Sequence, residues 1–224
     1  MPESLSTPVE SSQRTLSTKR ARTRARLLAN AVALFRRNGV RETRLAEVAK
    51  ASDVAPATLF NHFPSRADLA GAWVRGEIES EADAVARAVR AGERGLRASL
   101  RNASRAIAAR NAEEPVVRWA AWQEARRLRA GGVAGLRDAI SLEQQREHVR
   151  GDRAPDVLAD LLADAIEGGL VEGLGRAIED GASSPPARVR AIASAILARV
   201  DLVLDGARKR NERVRPDGSL QRPQ

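Results

Sequence analysis

The sequence predicts an all-α protein. It places an N-terminal three-helix domain with a helix-turn-helix before a larger helical C-terminal domain, about nine helices in total. Three observations carry this. Ala and Arg are abundant while runs of Val, Ile and Thr are missing and Tyr is absent, so helix propensity outweighs strand propensity. Apolar residues recur at helical spacing along most of the chain. Residues 39–69 read as a short helix, a sharp turn, a second short helix and the capped start of a third.

Residues 1–17 are rich in Ser, Thr, Pro and Glu without an apolar period, and are expected to form a disordered arm. The first helix follows, with Leu28, Ala31, Val32 and Phe35 on one face and Gly39 as the residue that ends it in a left-handed conformation. Thr43 is the expected cap of the second helix, which buries Leu45, Val48 and Ala49. Asp53 falls at the sharp turn and tolerates left-handed geometry better than most residues with a side chain. Pro56 suits the first position of the third helix, where its missing N–H is no loss, although Ala55 before it is a poor cap. Leu59 and Phe63 point inward. Ser65 and Asp68 form a capping pair that opens a long helix to about Gly92, which includes Trp73, Val74 and Ile78.

Further helices are expected at about 94–112, 115–130 and 133–149, broken at Gly131-Gly132 and Gly151-Asp152. Residues 155–179 carry a broad apolar stripe, in which Ala165, Gly169, Gly173 and Ala177 recur every four residues. A second stripe runs from Val189 to Ala207. Each helical Gly costs roughly 1 kcal/mol against Ala, so the small-residue row needs a use. The two helices either pack only on each other or also offer a face to a partner chain. The expected divisions are the arm at 1–17, the helix-turn-helix domain at 18–65, a helical domain at 66–207 and a flexible tail at 208–224.

The chain has 224 residues and a net charge of +9. Its first 66 residues hold 12 Lys and Arg against five acids, a net +7, which leaves only +2 for the remaining 158. A positive field concentrated at one end suits a polyanion partner. There is no cysteine, so disulfides and thiolate metal sites are excluded, in keeping with a cytoplasmic protein. No apolar run approaches the roughly 18 residues of a membrane span.

The run from Arg24 to Leu69 resembles the N-terminal domain of the tetracycline-repressor (TetR) family of transcriptional regulators. The resemblance rests on Ala31-x-x-Leu34-Phe35 with Gly39, on Thr43-Arg44-Leu45-x-x-Val48-Ala49 with Val54, and on Thr58-Leu59-Phe60-x-His62-Phe63-Pro64-Ser65-Arg66-x-x-Leu69. Phe60 stands where the family usually has Tyr, Asp53 replaces the usual turn Gly, and Ala55 and Ala57 replace Ser and Gly.

The resemblance implies a homodimer on a palindromic operator in double-stranded DNA, with the helix Pro56–His62 in the major groove. Its reading face is Pro56, Ala57, Thr58, Phe60, Asn61 and His62. Asn61 is the strongest base reader, since an amide pairs bidentately with adenine. Thr43, Arg44, His62 and Arg66 are expected on phosphates. The basic run Lys19–Arg26 either follows DNA or is solvated. The resemblance also implies a small-molecule effector in the C-terminal domain and repression by default. Trp73, Trp119, Trp122, Gln123 and Arg126 either line that effector site or fill a core. Leu162, Ala165, Ile166, Gly169, Gly173, Ile192, Ile196, Val200 and Val203 are the expected dimer interface.

Two other readings compete. One is a helical small-molecule-binding or interaction protein with a degenerate helix-turn-helix. The other is an enzyme, for which support is thin. The chain has only His62 and His148, and Gly173-Leu174-Gly175 lacks both a third glycine and a preceding strand. Glu77, Glu79, Glu81 and Asp83 read as a solvated helix face. No cofactor, metal or membrane is expected.

Overall fold

The structure, a computed structural model, describes residues 8–126, 133–181 and 184–207, with side chains described from residue 17. Among the described residues there are nine α-helices and no strand. They are α1 (Pro8–Asn38), α2 (Leu45–Ala51), α3 (Pro56–His62), α4 (Arg66–Ala91), α5 (Leu96–Glu113), α6 (Pro115–Ala125), α7 (Ala134–Gln145), α8 (Pro155–Glu179) and α9 (Pro185–Ala207). The chain forms two compact units. The first is Met1–Gly76 with Val117–Arg129, and the second is Glu77–Val116 with Ala130–Gln224.

This division differs from the expected boundary after residue 65. The opening of α4 and most of α6 belong with the helix-turn-helix. Leu69, Ala70, Trp73 and Val74 are buried, and the Trp73 ring lies 6.1 Å from that of Phe35, centroid to centroid. The expected arm at 1–17 is also shortened, because α1 begins at Pro8. Proline is tolerated in a first turn, and a helix already nucleated adds one hydrogen bond per residue, so a polar composition does not stop it. Residues 1–7, Gly131-Gly132 and the expected tail at 208–224 lie outside the described residues.

In the first unit, α1 buries Leu27, Ala31, Leu34 and Phe35, while Leu28 is only half-buried. Val32 is buried as well, so Ala31, Val32 and Phe35 of the expected stripe stand, and Leu27 and Leu34 widen it while Leu28 lies at its edge. Gly39 ends α1 at φ +93°, and its N–H donates to the Phe35 carbonyl at 3.0 Å. Asp53 does occupy the left-handed region, at φ +48°. Thr43 does not cap α2, whose N-cap is Arg44.

In the second unit, α8 and α9 run antiparallel in backbone contact. A Cβ on Gly169 would lie 2.5 Å from the Ile196 Cα, and one on Gly173 2.6 Å from the Ile192 Cα. The pairing of 169 with 196 and 173 with 192 fixes the direction. This corrects the expected dimer interface. Leu162, Ala165, Ile166, Gly169, Gly173, Ile192, Ile196 and Val200 are all buried within one chain, and Val203 is half-buried. The small-residue row is used up by α9. Gly135 of α7 makes a similar approach to α4, where its Cβ would meet the Ala82 carbonyl carbon at 2.5 Å.

Ion pairs cross-link the same unit. Arg97 of α5 holds Asp201 and Asp205 of α9, each at 2.5 Å, and Arg101 holds Asp201 at 3.2 Å. Glu143 is buried and meets Arg146 at 3.2 Å and His148 at 3.3 Å.

Candidate nucleic-acid interface

The seven residues of α3 follow from local chemistry. Ala55 is the N-cap and makes no side-chain bond, so the helix start relies on Pro56 at its first position. Leu59, inside the helix, and Phe63, its C-cap, are fully buried and anchor one side. The other side faces outward: Pro56, Ala57, Phe60 and Asn61 are exposed, and Thr58 and His62 are half-buried. Phe60 is 49 % exposed, a large ring left in solvent. Such an exposed apolar side chain beside an amide suits a groove that offers thymine methyls and hydrogen-bonding base edges.

Two side chains of α1 fix the ends of the shorter helices. The Asn30 amide donates to the Ala51 carbonyl at 3.1 Å and to Ser52 Oγ at 3.0 Å, beyond the last turn of α2. The Arg24 guanidinium donates to the His62 carbonyl at 2.6 Å and lies 4.0 Å over the Phe63 ring. Each tie satisfies a carbonyl that its helix leaves unpaired, and Arg24 also sets a cation at the negative end of α3. In the sequence Arg24 stands only as one cation of a basic run. A bond across 38 positions leaves no local signal.

The expected phosphate ligands separate into two groups. Arg44 is exposed at the N-terminus of α2, where its backbone N–H donates to the Glu47 carboxylate at 3.4 Å. It remains suited to a phosphate. Thr43 does not: it is 2 % exposed and its hydroxyl donates to the Gly39 carbonyl at 2.7 Å, which clamps the turn after α1. Arg66 is also redirected. Its guanidinium donates to the Arg41 carbonyl at 2.6 Å and meets the buried Glu124 of α6 at 3.4 Å. It braces the domain, a role that depends on α6 and is invisible in residues 39–69. The Ser65–Asp68 pair forms as expected, with the Ser65 hydroxyl donating to Asp68 at 2.6 Å and the Asp68 N–H donating back at 3.2 Å.

His62 is held toward its neutral form. Partial burial lowers its pKa from the usual histidine value of 6.5, and the positive charges of Arg20 and Arg24 lower it further. In the free protein it is therefore a neutral hydrogen-bonding group at pH 7.

The expected effector residues differ in burial. Trp122 is fully buried and Trp73 nearly so, the latter between Phe35 and the Arg118 guanidinium, which lies 4.3 Å over its ring. Trp119 and Gln123 are half-buried, and Arg126 is exposed after the end of α6. Trp73 and Trp122 belong to the core of the first unit. The second unit contains a cavity of about 720 Å³ lined by Leu96, Arg97, Arg101, His148, Val149 and Leu204, among others. Among the described residues there is no cluster of three metal-binding side chains, and no helix is long and apolar enough to cross a membrane.

Comparison with known proteins agrees with this geometry. Residues 27–72 match the profile of the family described as bacterial regulatory proteins, tetR family. No curated protein matches the chain in sequence. Among solved structures, the FadR protein of Thermus thermophilus, a TetR-family transcriptional repressor in complex with lauroyl-CoA, aligns with a TM-score of 0.56 at 22 % identity, over 84 % of this chain and 96 % of that one. A TetR-family transcriptional regulator from Pectobacterium atrosepticum aligns with a TM-score of 0.51 at 23 % identity, over 86 % and 97 %. These likenesses establish the shared fold, and the profile covers the segment that presents α3. Together with the positions of Gly39, Leu59, Phe63 and Ser65, they show that residues 27–72 are similar to the N-terminal domain of the tetR family of bacterial regulatory proteins, in a chain that shares the fold of such regulators.

Proposed function

We propose that the chain is a ligand-responsive repressor that binds a palindromic operator as a homodimer. One observation carries the DNA-binding part: a seven-residue helix anchored by Leu59 and Phe63 turns Pro56, Ala57, Phe60 and Asn61 outward, within the strongly cationic end of the chain. Asn61 is the base reader, and Arg44 holds a phosphate. A titration of the DNA flanking its own gene, at several salt concentrations, tests this. A footprint that survives competitor DNA supports the reading. Weak binding that simply follows salt, with no preferred site, leaves the degenerate helix-turn-helix in its place.

The pairing surface is the outer face of α8 and α9 that the intrachain packing leaves free. Val157 and Leu161 are each 49 % exposed and Leu202 is 75 % exposed. Gly168, seven residues from Leu161, faces Arg199, one turn from Leu202. Large apolar side chains left in solvent on adjacent helices favour a symmetric partner. Leu161→Glu with Leu202→Glu is expected to convert a dimer to a monomer in sedimentation. A wild-type monomer overturns this assignment.

The effector site is assigned to the 720 Å³ cavity of the second unit, whose size suits a small organic molecule and whose Leu96, Val149 and Leu204 offer apolar wall. Occupation changes operator affinity, and operator binding changes effector affinity by the same factor. A panel of metabolites is read by thermal shift, where a ligand at about 100 times its Kd adds about 2.7 kcal/mol. Ala98→Trp, at an exposed position of the lining, is expected to remove the shift without lowering the melting point of the free protein.

A further inference from the structure

The segment Lys19-Arg20-Ala21-Arg22-Thr23-Arg24-Ala25-Arg26 holds five cations and no acid within eight residues, all inside α1. Its side chains are exposed except for half-buried Thr23, and the buried face of α1 begins only at Leu27. This stretch, about 12 Å of helix, therefore projects beyond the three-helix core. Its position is set by the tie from Arg24 to the His62 carbonyl, so it passes the C-terminal end of α3. Arg20, one turn earlier, is close enough to act on the His62 imidazole.

Such a run is unfavourable in isolation. Arg20 and Arg24 are four apart, as are Arg22 and Arg26, and like charges at that spacing destabilise a helix. Nothing acidic within the run offsets them. A closely spaced row of fixed negative charge would, and duplex DNA supplies about one phosphate per 1.7 Å of its axis.

We infer that Lys19, Arg20 and Arg22 form a second DNA-contacting element, a helical extension that binds backbone phosphates outside the base pairs read by α3. The inference rests on the DNA-binding function proposed above and adds to it a contact without sequence preference. Arg24 is a positioning residue for α3 rather than part of this contact.

The test uses the full chain and two duplexes from the region flanking its gene: one cut to the footprinted core, one longer by about ten base pairs at each end. The slope of log affinity against log salt counts phosphate contacts, at about 0.9 per contact. The K19Q/R20Q/R22Q variant is expected to lower the slope on the longer duplex by about 2 to 3 per protomer and to weaken binding at least tenfold. On the short duplex the two proteins are expected to behave alike. The K19R/R20K/R22K variant, which keeps the charges, is expected to bind as wild type, and circular dichroism checks that the helix persists. An unchanged slope on the longer duplex, with site preference intact, overturns the inference and leaves the DNA reader standing. A lowered slope in a chain with no preferred site supports the contact and refutes the operator-binding function instead.

Discussion

The α1–α3 head and the α8–α9 pair are held together by different means. In the pair, two glycines let backbones meet, and the contact is one of shape: Gly169 against Ile196, Gly173 against Ile192. In the head, the helices α2 and α3 have seven residues each, too short to be stable alone, and directional bonds from longer elements hold them. Asn30 and Arg24 reach the C-terminal ends of α2 and α3, and Arg66 reaches the Arg41 carbonyl. Close packing resists small changes in volume everywhere along its length. Point ties leave the outer face of α3 free of structural duty, so its residues are available for reading a base sequence.

The sharpest way to break this contrast is to remove an anchor. Phe63→Ala deletes a fully buried ring and the platform under Arg24, and is expected to cost about 3–5 kcal/mol. Hydrogen exchange should show the loss in α2 and α3. A variant that melts like wild type would mean that the polar ties alone suffice.

The matching test in the other region is Gly173→Ala. Alanine gains about 1 kcal/mol in helix propensity, but its methyl group meets the Ile192 backbone, and overpacking of this kind costs about 1–3 kcal/mol. A net loss of stability in urea is expected. A gain would show that α8 and α9 separate easily and that shape is not what holds them.

Two changes sharpen the difference between reading and bracing. Asn61→Ala should leave stability untouched and cost about 1–3 kcal/mol of discrimination at one operator position. Unchanged preference across an operator panel would remove Asn61 as a reader. Arg66→Ala should instead lower stability, because it leaves the buried Glu124 without this partner, while the salt slope of DNA binding stays the same. A slope reduced by about 0.9 would return Arg66 to the phosphates.

The smallest expected effect concerns pH. The folded pKa of His62 lies below the unfolded value of 6.5, so its contribution to stability is present above that value and fades as pH falls through the folded pKa. DNA phosphates near the ring act in the opposite sense and favour the protonated form. Operator affinity should therefore rise as pH falls from 7.5 toward 6, with His62→Gln flattening the trend. A flat wild-type profile would place the imidazole away from the phosphates.

Much of the head was legible because its determinants are local. Gly39, Asp53, Pro56 and Ser65 each act on the backbone within a few residues, and all four stand where their chemistry predicted. Leu59 and Phe63 showed their inward side through helical spacing. What escaped were the partners that arrive from elsewhere in the chain. Glu124 lies 58 positions from Arg66, and with that partner the latter becomes a brace. The glycine row was correctly seen as a place of close approach, but periodicity alone cannot say whether the approaching helix belongs to the same chain. The tryptophans illustrate the same limit, since an aromatic cluster on one helix looks alike whether it lines a cavity or fills a core. Thr43 differs: its hydroxyl bonds a carbonyl only four residues away, a local alternative that the capping expectation hid.

One optical consequence follows from where the indoles fall. Trp73, Trp119 and Trp122 are the only three in the chain, tyrosine is absent, and all three lie in the first unit. Intrinsic emission therefore reports on that unit alone, whereas far-ultraviolet ellipticity weights the second by its greater helical length. Superimposable melts by the two signals would mean that both units unfold as one cooperative block; separated midpoints would let each be followed in an unlabelled protein.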